Sequence, residues 1–290
     1  MTKATSVEKR MRAAATAVSR PKGIDPGRPI KVGVDLGTAF TVMMVTDDGD
    51  KPLAGAMQFA DVVRDGIVWD FAGAQKVVAG LKERLGLATG RALDAGAVTI
   101  PPAVSAADHR AHRYVIEGAG ISCSAVIDET TAANAVLGVR DGAVVDIGGG
   151  TTGVAIIRGG QVVKNVDEPT GGTHLSLVIA GALKMPVEKA EKIKVDARNH
   201  ERLLSIVRPT LEKVATIVGR AIAGEHVEHI HLVGGTSDFT GIADIMTEIT
   251  GVPASVAPEP MLVTPLGVAQ WAEPITGAPR NDREGQWYGY

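Results

Sequence analysis

Two stretches of the chain share one pattern of apolar and glycine residues. The first has apolar runs at 31–38 and 41–45, then an acidic turn and a third run that ends near Phe59. The second covers 143–157 and continues at 161–163. Each predicts three consecutive strands, because short apolar runs between glycine-rich turns are typical of strands. The two stretches correspond at a constant offset of 111 residues, which predicts two topologically similar halves.

Helical patterns lie between and after these strands. The spacing of apolar residues predicts helices over 71–86, 105–120, 129–138, 173–184, 239–250 and 264–272, a long helical stretch over 186–223 that breaks near Pro209, and a further strand over 228–233. Strands that alternate with helices define an α/β protein. We therefore expect two sheets, each flanked by helices.

The N-terminal segment differs from the body that follows. Residues 1–31 carry eight basic and two acidic side chains, while the whole chain has a net charge of −3. Val7, Met11, Ala14 and Val18 form one apolar stripe of a short helix. A linker rich in proline and glycine follows, so we expect a detachable helix. It is either a solvated extension or a docking peptide for a partner or a membrane surface.

The composition excludes several classes of function. A net charge of −3 gives no positive field for nucleic acid, and an aromatic content of 3% gives no base-stacking platform. The single cysteine, Cys123, permits no internal disulfide and is expected to be buried in a cytoplasmic protein. No stretch offers the roughly 20 apolar residues of a membrane span. Trp287, Tyr288 and Tyr290 end the chain, in a tail that is either flexible or a partner-docking peptide.

Both repeated hairpins contain an aspartate followed by a glycine-rich turn. Asp35 precedes Gly37 and Thr38, and Asp146 precedes the run 148–152 of glycines and threonines. Glycine lets backbone N–H groups approach an anion closely, and threonine hydroxyls add donors. Mg²⁺ between the two carboxylates would offset their repulsion of a phosphate. One such turn alone is more often a structural device, whereas the matched pair favours a polyphosphate site.

These residues resemble the nucleotide-binding motifs of a known superfamily. The segments 34–38, 146–152 and 232–236 are similar to the first phosphate, second phosphate and adenosine motifs of the actin-like ATPases, which include DnaK-type chaperones and sugar kinases. The segments 128–135 and 265–269 resemble the two connecting helices of that superfamily. The resemblance implies an α/β protein with the actin-like ATPase fold, in which two ribonuclease-H-like lobes enclose a nucleotide cleft.

Three further segments, 63–71, 171–176 and 263–267, resemble the ethanolamine-utilisation EutJ family, chaperone-like proteins of bacterial microcompartment operons. This resemblance implies an ATP-binding, chaperone-like cytoplasmic protein that serves ethanolamine or related amine utilisation. Its client would be a microcompartment enzyme or shell protein, and the protein itself would lie inside or beside the microcompartment. Nucleic acid is not expected as a partner, and homo-oligomerisation is left open.

The resemblance also implies roles for thirteen residues. Asp35 and Asp146 would position Mg²⁺ through its waters, and Glu129 would orient the water that attacks ATP. The residues that would hold ATP or ADP are Gly37, Thr38, Gly148, Gly149, Gly150, Thr151 and Thr152 at the phosphates, and Gly234, Gly235 and Thr236 at the adenosine. Taken alone, Glu129 is equally typical of a carboxylate that the dipole of a helix favours at its start.

The implied domains are a basic helix and linker (1–30), a first lobe (31–140), a second lobe (141–263), a connecting helix that returns to the first lobe (264–275), and a tail (276–290). About 40 residues separate Lys184 from Glu228, so the small subdomain that covers adenine in DnaK-type chaperones is expected to be reduced or absent. No residue matches the phosphate-contacting lysine of those chaperones. The alternatives are a small-molecule kinase of the same fold and an actin-like scaffold with weak or no hydrolysis.

Overall fold

The structure is a computed structural model that describes residues 5–64, 66–102 and 106–277. In this part of the chain the strands are β1 (Ile30–Leu36), β2 (Phe40–Asp47), β3 (Pro52–Phe59), β4 (Val63–Arg64), β5 (Ile67–Val68), β6 (Ala95–Ile100), β7 (Ser122–Asp128), β8 (Gly142–Ile147), β9 (Thr152–Arg158), β10 (Gln161–Glu168), β11 (Ile230–Val233) and β12 (Ala254–Val256). The helices are α1 (Ser6–Ser19), α2 (Phe71–Thr89), α3 (Ala106–Gly118), α4 (Glu129–Leu137), α5 (Gly172–Leu183), α6 (Val187–Lys194), α7 (His200–Ile222), α8 (Ile242–Thr250) and α9 (Val263–Ala269).

Two five-stranded sheets share one topology. Their strand orders are β3-β2-β1-β6-β7 and β10-β9-β8-β11-β12. In each sheet the first three strands are antiparallel and the last two pair in parallel. Asp35 lies opposite Val42 in the first sheet, and Asp146 lies opposite Gly153 in the second. The prediction of two topologically similar halves is therefore confirmed at the level of strand order and register.

Several elements differ from the sequence-based expectation. The strands β6, β7 and β12 and the small hairpin β4–β5 were not predicted. The predicted break near Pro209 is wrong, because α7 continues through this proline. Pro209 lies on the exposed face of α7, where water can reach the carbonyl group that its ring leaves unpaired. The break lies instead at 195–199, where the Asn199 side chain donates to the carbonyl of Ile193.

The helices α4 and α9 cross between the two sheets. A Cβ atom on Gly267 of α9 would lie 1.8 Å from the carbonyl oxygen of Ala132 in α4, so only glycine permits this close approach. One apolar cluster surrounds the crossing and includes Val42 from the first sheet and Val144 from the second. Separate apolar cores lie under each sheet. The crossing thus holds the first residue of α4, Glu129, at the boundary between the two sheets.

The N-terminal helix α1 packs against β3 and is not separate from the body, so the expected detachable helix is corrected. Thr5 and Glu8 form a capping box at its start. Met11 and Ala14 are fully buried in the cluster between the sheets, and Val18 lies against Gly55 of β3. The apolar stripe read from the sequence is therefore used within the chain. The predicted tail lies, from residue 278 onward, outside the described residues.

Replacing Met11 with alanine is expected to lower the free energy of unfolding by about 2–5 kcal/mol, the usual range for a fully buried methionine. Arg12, on the exposed side of the same helix, provides the control, and Arg12→Ala should change stability by less than about 0.5 kcal/mol. Denaturation in urea measures both variants. Equal losses in the two variants would contradict the packing of α1 on the body.

Two smaller expectations can be compared with the described residues. No helix among them is long and apolar enough to cross a membrane. Cys123 is buried, as predicted, and burial raises the pKa of its thiol. The thiol donates weakly to the carbonyl oxygen of Ala125.

Candidate functional site

A cavity of about 330 Å³ opens between the two sheets. Its lining residues come from the turns after β1 and β8, from the starts of α4 and α9, and from the segment between α6 and α7. Twelve of the thirteen predicted residues line it, namely Asp35, Gly37, Thr38, Glu129, Asp146, Gly148, Gly149, Gly150, Thr151, Gly234, Gly235 and Thr236. The fold therefore brings motifs that are far apart in sequence to one cavity.

Thr152 is the predicted residue that the structure does not bring to the cavity. It is fully buried, and its hydroxyl donates to the carbonyl oxygen of Thr170 over 2.6 Å. It begins β9, where successive side chains point to opposite faces of the sheet, so it points away from its neighbour Thr151. Thr152 therefore supports the second glycine-rich turn from behind.

Each of the two aspartates is held by a threonine that the sequence analysis did not identify. Thr99 Oγ1 on β6 donates to Asp35 Oδ1 over 2.6 Å and accepts from the Leu36 N–H over 3.3 Å. Thr264 Oγ1 at the start of α9 donates to Asp146 Oδ2 over 2.6 Å. These bonds fix both carboxylates from neighbouring elements. A threonine on the adjacent parallel strand gives no signal in the sequence until the strand order is known.

Burial raises the pKa of both aspartates. The pKa of Asp35 is raised to about 7, mainly by burial and further by the charge of Asp146, against the opposing hydrogen bond from Thr99. Burial raises the pKa of Asp146 to about 6, against the hydrogen bond from Thr264. The buried Asp146 and the partly buried Asp35 repel each other and favour a cation between them, because the cation offsets both effects.

These shifts predict how the stability of the nucleotide-free protein depends on pH. Both carboxyls have an ordinary pKa of 3.8 when unfolded, so between about pH 4 and pH 7 the folded state binds more protons than the unfolded state. The free energy of unfolding contributed by this pair therefore falls as pH rises through that window. We expect the unfolding midpoint to fall less steeply with pH in the double variant Asp35→Asn, Asp146→Asn. A slope equal to that of the wild type would contradict the assignment.

The third glycine-rich motif packs directly against the second. Gly234 has a φ of +87°, and a Cβ atom there would lie 2.3 Å from Asp146 Oδ1 and 2.6 Å from the Ile147 carbonyl oxygen. Glycine is therefore required by both the backbone conformation and the close approach. Thr236 Oγ1 donates to the carbonyl oxygen of Gly148 over 2.7 Å. The Thr236 hydroxyl thus joins the two motifs as well as lining the cavity.

Glu129 stands at the first position of α4, directly after its N-cap Asp128. The Asp128 carboxylate accepts from the Thr131 N–H over 2.9 Å, which ends β7 and starts the helix. Burial raises the pKa of Glu129 well above its ordinary value, and the charges of Asp146 and Asp35 raise it further. Glu129 is thus electrostatically coupled to both aspartates.

Asp167 also contributes to the field at Glu129, although the sequence analysis did not identify it. It lies near the end of β10, and its charge is a further cause of the raised pKa of Glu129. The sequence carries one signal for it, since Asp167 follows the repeated hairpin and precedes the segment 171–176 that resembles the EutJ family. It belongs to the group of acidic side chains that raise the pKa of Glu129.

A buried lysine on α6 was missed as well. Lys194 lines the cavity, and its Nζ donates to the carbonyl oxygen of Gly172 over 3.0 Å and lies 2.7 Å from Glu191 Oε2. Glu191 also accepts from the Ser176 hydroxyl. An ammonium group has three donors, and these two contacts use two of them. Burial lowers the pKa of Lys194, and Glu191 opposes that change. The spacing of three residues between Glu191 and Lys194 was the available signal.

His200 fixes the position of this lysine. The Thr240 N–H donates to His200 Nδ1 over 3.0 Å, so the proton is assigned to Nε2, which donates to the Lys194 carbonyl oxygen over 2.8 Å. The ring stacks on Phe239 with centroids 4.2 Å apart. His200 and Phe239 both line the cavity and give it an aromatic wall. His200 therefore ties the end of α6 to the turn before α8.

The donor set at the aspartates fits Mg²⁺. The ion prefers carboxylate oxygens and retains several waters, and Asp35 and Asp146 each engage a threonine hydroxyl through one oxygen. The described residues contain no group of three histidine, cysteine, aspartate or glutamate side chains arranged around one metal position. Asp35 and Asp146 are therefore the cavity-lining carboxylates that could hold such an ion.

The paired sheets, the crossing helices and the cavity define the actin-like ATPase fold. Residues 54–196 match the MreB/Mbl protein family, and residues 143–269 match the family of the cell division protein FtsA. The crystal structure of MreB5 of Spiroplasma citri bound to ADP superimposes with a TM-score of 0.68 at 17% identity, over 84% of this chain and 95% of that one. At this identity the likeness shows the fold. The stretch between α5 and β11 forms helices without a strand, as expected for a reduced adenine-side subdomain.

Other relatives show the family. The ethanolamine utilization protein EutJ of Escherichia coli (strain K12) is 40% identical over 243 residues, which is 83% of this chain and 85% of the relative. The crystal structure of EutJ from Carboxydothermus hydrogenoformans has a TM-score of 0.86 at 42% identity, over 91% of this chain and 98% of that one. The chain belongs to the EutJ family of ethanolamine utilization proteins, which confirms the resemblance seen in its motifs.

Proposed function

We propose that this protein binds ATP or ADP with Mg²⁺ in the cavity between its sheets and hydrolyses ATP slowly. The observation that carries the proposal is the meeting of two equivalent hairpin turns, each with its aspartate, at one cavity that Lys194 also lines. A matched pair of glycine-rich turns provides backbone donors for phosphates from both sides. The MreB5 structures of Spiroplasma citri, which are bound to ADP and AMPPNP, have the same fold and support the choice of ligand.

Different residues of the cavity would bind the phosphates, the nucleoside and Mg²⁺. The turns 37–38 and 148–151 hold the phosphates through backbone N–H groups and threonine hydroxyls. Gly234 and Gly235 let the nucleoside approach the backbone, and Lys194 offers its remaining N–H. Asp35 and Asp146 would hold Mg²⁺, which neutralises negative charge on the phosphates when bound. The Thr152 side chain is not assigned a phosphate contact, because it does not line the cavity and its hydroxyl donates to Thr170.

Hydrolysis requires a water positioned by Glu129. A carboxylate whose pKa is raised accepts a proton more readily than an ordinary carboxylate does. Glu129 is the cavity-lining carboxylate at the start of a helix, and the crossing of α4 and α9 keeps it in place. We therefore assign to Glu129 the orientation of the attacking water, and most of the remaining rate enhancement to positioning of the phosphates.

The family and the two-lobed shape support a proposal for the cellular role. The EutJ relatives are named ethanolamine utilization proteins. We infer that closure of the lobes on ATP alters a surface that contacts a client, in a chaperone-like role. The client would be an enzyme or shell protein of a bacterial microcompartment that handles ethanolamine or a related amine.

One assay separates this function from its alternatives. The purified protein is incubated with γ-labelled ATP and Mg²⁺, with and without ethanolamine, and the label is followed into phosphate and into any amine product. Release as phosphate without dependence on ethanolamine supports the ATPase. Transfer to the amine would establish a small-molecule kinase instead. Binding without turnover, together with nucleotide-dependent sedimentation, would favour an actin-like scaffold.

A further inference from the structure

Two polar contacts of Asn165 join the two lobes beside Glu129. Asn165 lies on β10 of the second sheet and meets the first turn of α4, which follows directly from β7 of the first sheet. Asn165 Nδ2 donates to Asp128 Oδ1 over 3.0 Å. Asn165 Oδ1 lies 3.2 Å from Thr130 Oγ1, whose single proton is directed mainly to Asp128 Oδ1 at 2.7 Å. Asn165 thus contacts the side chains immediately before and after Glu129 in the sequence.

The network around Asp128 fixes the backbone at this position. Asp128 Oδ1 accepts three hydrogen bonds, from Asn165, from Thr130 Oγ1 over 2.7 Å and from the Thr131 N–H over 2.9 Å. Hydrogen bonds to a carboxylate are stronger than those between neutral groups. Thr130 is fully buried, so its hydroxyl has no water to replace a lost partner. The direction in which the Glu129 side chain leaves α4 is therefore set by its two neighbours.

Asn165 acts from outside the cavity. The cavity lining includes Glu129 but not Asp128, Thr130 or Asn165. A separation of 3.0 Å tolerates little change, since a displacement of β10 from α4 by about 1 Å would take the donor and acceptor beyond hydrogen-bond distance. The contact is therefore sensitive to how the two lobes are arranged.

We propose that Asn165 is a positioning residue that couples the arrangement of the two lobes to the orientation of the Glu129 side chain. While the contact with α4 is made, Glu129 is held toward the nucleotide; when the lobes separate, the first turn of α4 loosens and hydrolysis stops. This proposal rests on the proposed function, because it assigns a regulator to the carboxylate that orients water. Under this proposal Asn165 influences hydrolysis from across the cleft without contacting the nucleotide.

A polarity swap tests the coupling. Asn165→Asp places a carboxylate against that of Asp128, and the repulsion breaks the contact. Asp128→Asn removes the charged acceptor but keeps a side chain that caps helices well. Combining the two changes restores a donor and an acceptor with their roles reversed. Gln161→Glu, an amide-to-carboxylate change at an exposed position of the same strand, is the matched control.

Three quantities are measured for each variant: ATP affinity, the single-turnover rate of hydrolysis, and hydrogen exchange of the amides in the first turn of α4 without nucleotide. We expect Asn165→Asp to slow hydrolysis at least tenfold, to leave ATP affinity within about threefold, and to speed that exchange. The double variant should recover at least part of both losses, and Gln161→Glu should match the wild type. Strictly additive effects in the double variant would overturn the proposal.

The remaining outcomes are also decisive. Unchanged hydrolysis and unchanged exchange in Asn165→Asp would overturn the coupling. A wild type that binds ATP without cleaving it would overturn the role of Glu129 and this proposal together. A wild type that binds no nucleotide would refute the proposed function, and the exchange data would then decide by themselves whether Asn165 holds the first turn of α4.

Discussion

Asp146→Asn is expected to raise the stability of the nucleotide-free protein and to weaken its response to Mg²⁺ and ATP strongly. The gain follows because the substitution removes a buried charge that lies near Asp35, while the amide oxygen still accepts from Thr264. The loss follows because a neutral amide holds the cation poorly. Loss of one partner from a buried charged pair costs about 2–5 kcal/mol, so ATP affinity with Mg²⁺ should fall by about 30-fold or more. Calorimetric titration and thermal unfolding measure the two effects.

The opposite signs make this test specific. A variant that merely disrupted the fold would lose stability and affinity together. Asp35→Asn should behave in the same way, because Thr99 can donate to its amide oxygen. Asp244→Asn, at an exposed position in the first turn of α8, is a control that removes a carboxylate away from the cavity. Full retention of the Mg²⁺-dependent affinity in Asp146→Asn would contradict the phosphate site.

Glu129→Gln is expected to bind ATP as the wild type does and to lose hydrolysis by about 100-fold or more, the usual contribution of a positioned acid–base group. The amide keeps the shape of the side chain but cannot accept the proton of the attacking water. Because burial and the neighbouring carboxylates raise the pKa of Glu129, turnover by the wild type should rise with pH in a range above that of an ordinary carboxyl. Initial rates of phosphate release, measured as a function of pH, check both expectations.

The control for this variant is Glu188→Gln, which changes an exposed glutamate at the start of α6. It should leave affinity and turnover unchanged. The assignment of Glu129 would fail if Glu129→Gln released phosphate at the wild-type rate while its ATP affinity was intact. The carboxylate of Asp167 would then be the next residue to test.

The sequence predicted the parts of the fold that repeat or that carry glycine. The hairpins after Asp35 and Asp146 could be aligned because an apolar run, an aspartate and a glycine turn recur at one offset. The strands β6, β7 and β12 could not, because each is short and, although glycine or proline flanks it, lacks the aspartate and glycine turn that recurs in the two hairpins. The continuation of α7 through Pro209 could not be predicted, because the cost of proline to a helix depends on which face it occupies, and tertiary packing decides that face.

The candidate site was predicted to a similar extent and for similar reasons. Residues within motifs were found, and twelve of them line one cavity. Thr99 and Thr264 were missed because their role is to hold an aspartate that lies far away in the sequence. Lys194 has no glycine motif beside it, so its burial against Gly172 is visible only once α5 and α6 are packed together. Such contacts across elements are set by the fold and not by local pattern.

The central claim is that the cavity between the two sheets binds a nucleotide with Mg²⁺. Thermal unfolding of the wild type with ATP and Mg²⁺, with ADP and Mg²⁺, and with ATP and a chelator tests it most directly. A nucleotide at about 100 times its Kd adds about 2.7 kcal/mol to the stability of the folded state. We predict a clear rise in the unfolding midpoint with either nucleotide and Mg²⁺, and a smaller rise with the chelator. An unchanged midpoint at millimolar ATP and Mg²⁺ would contradict the account.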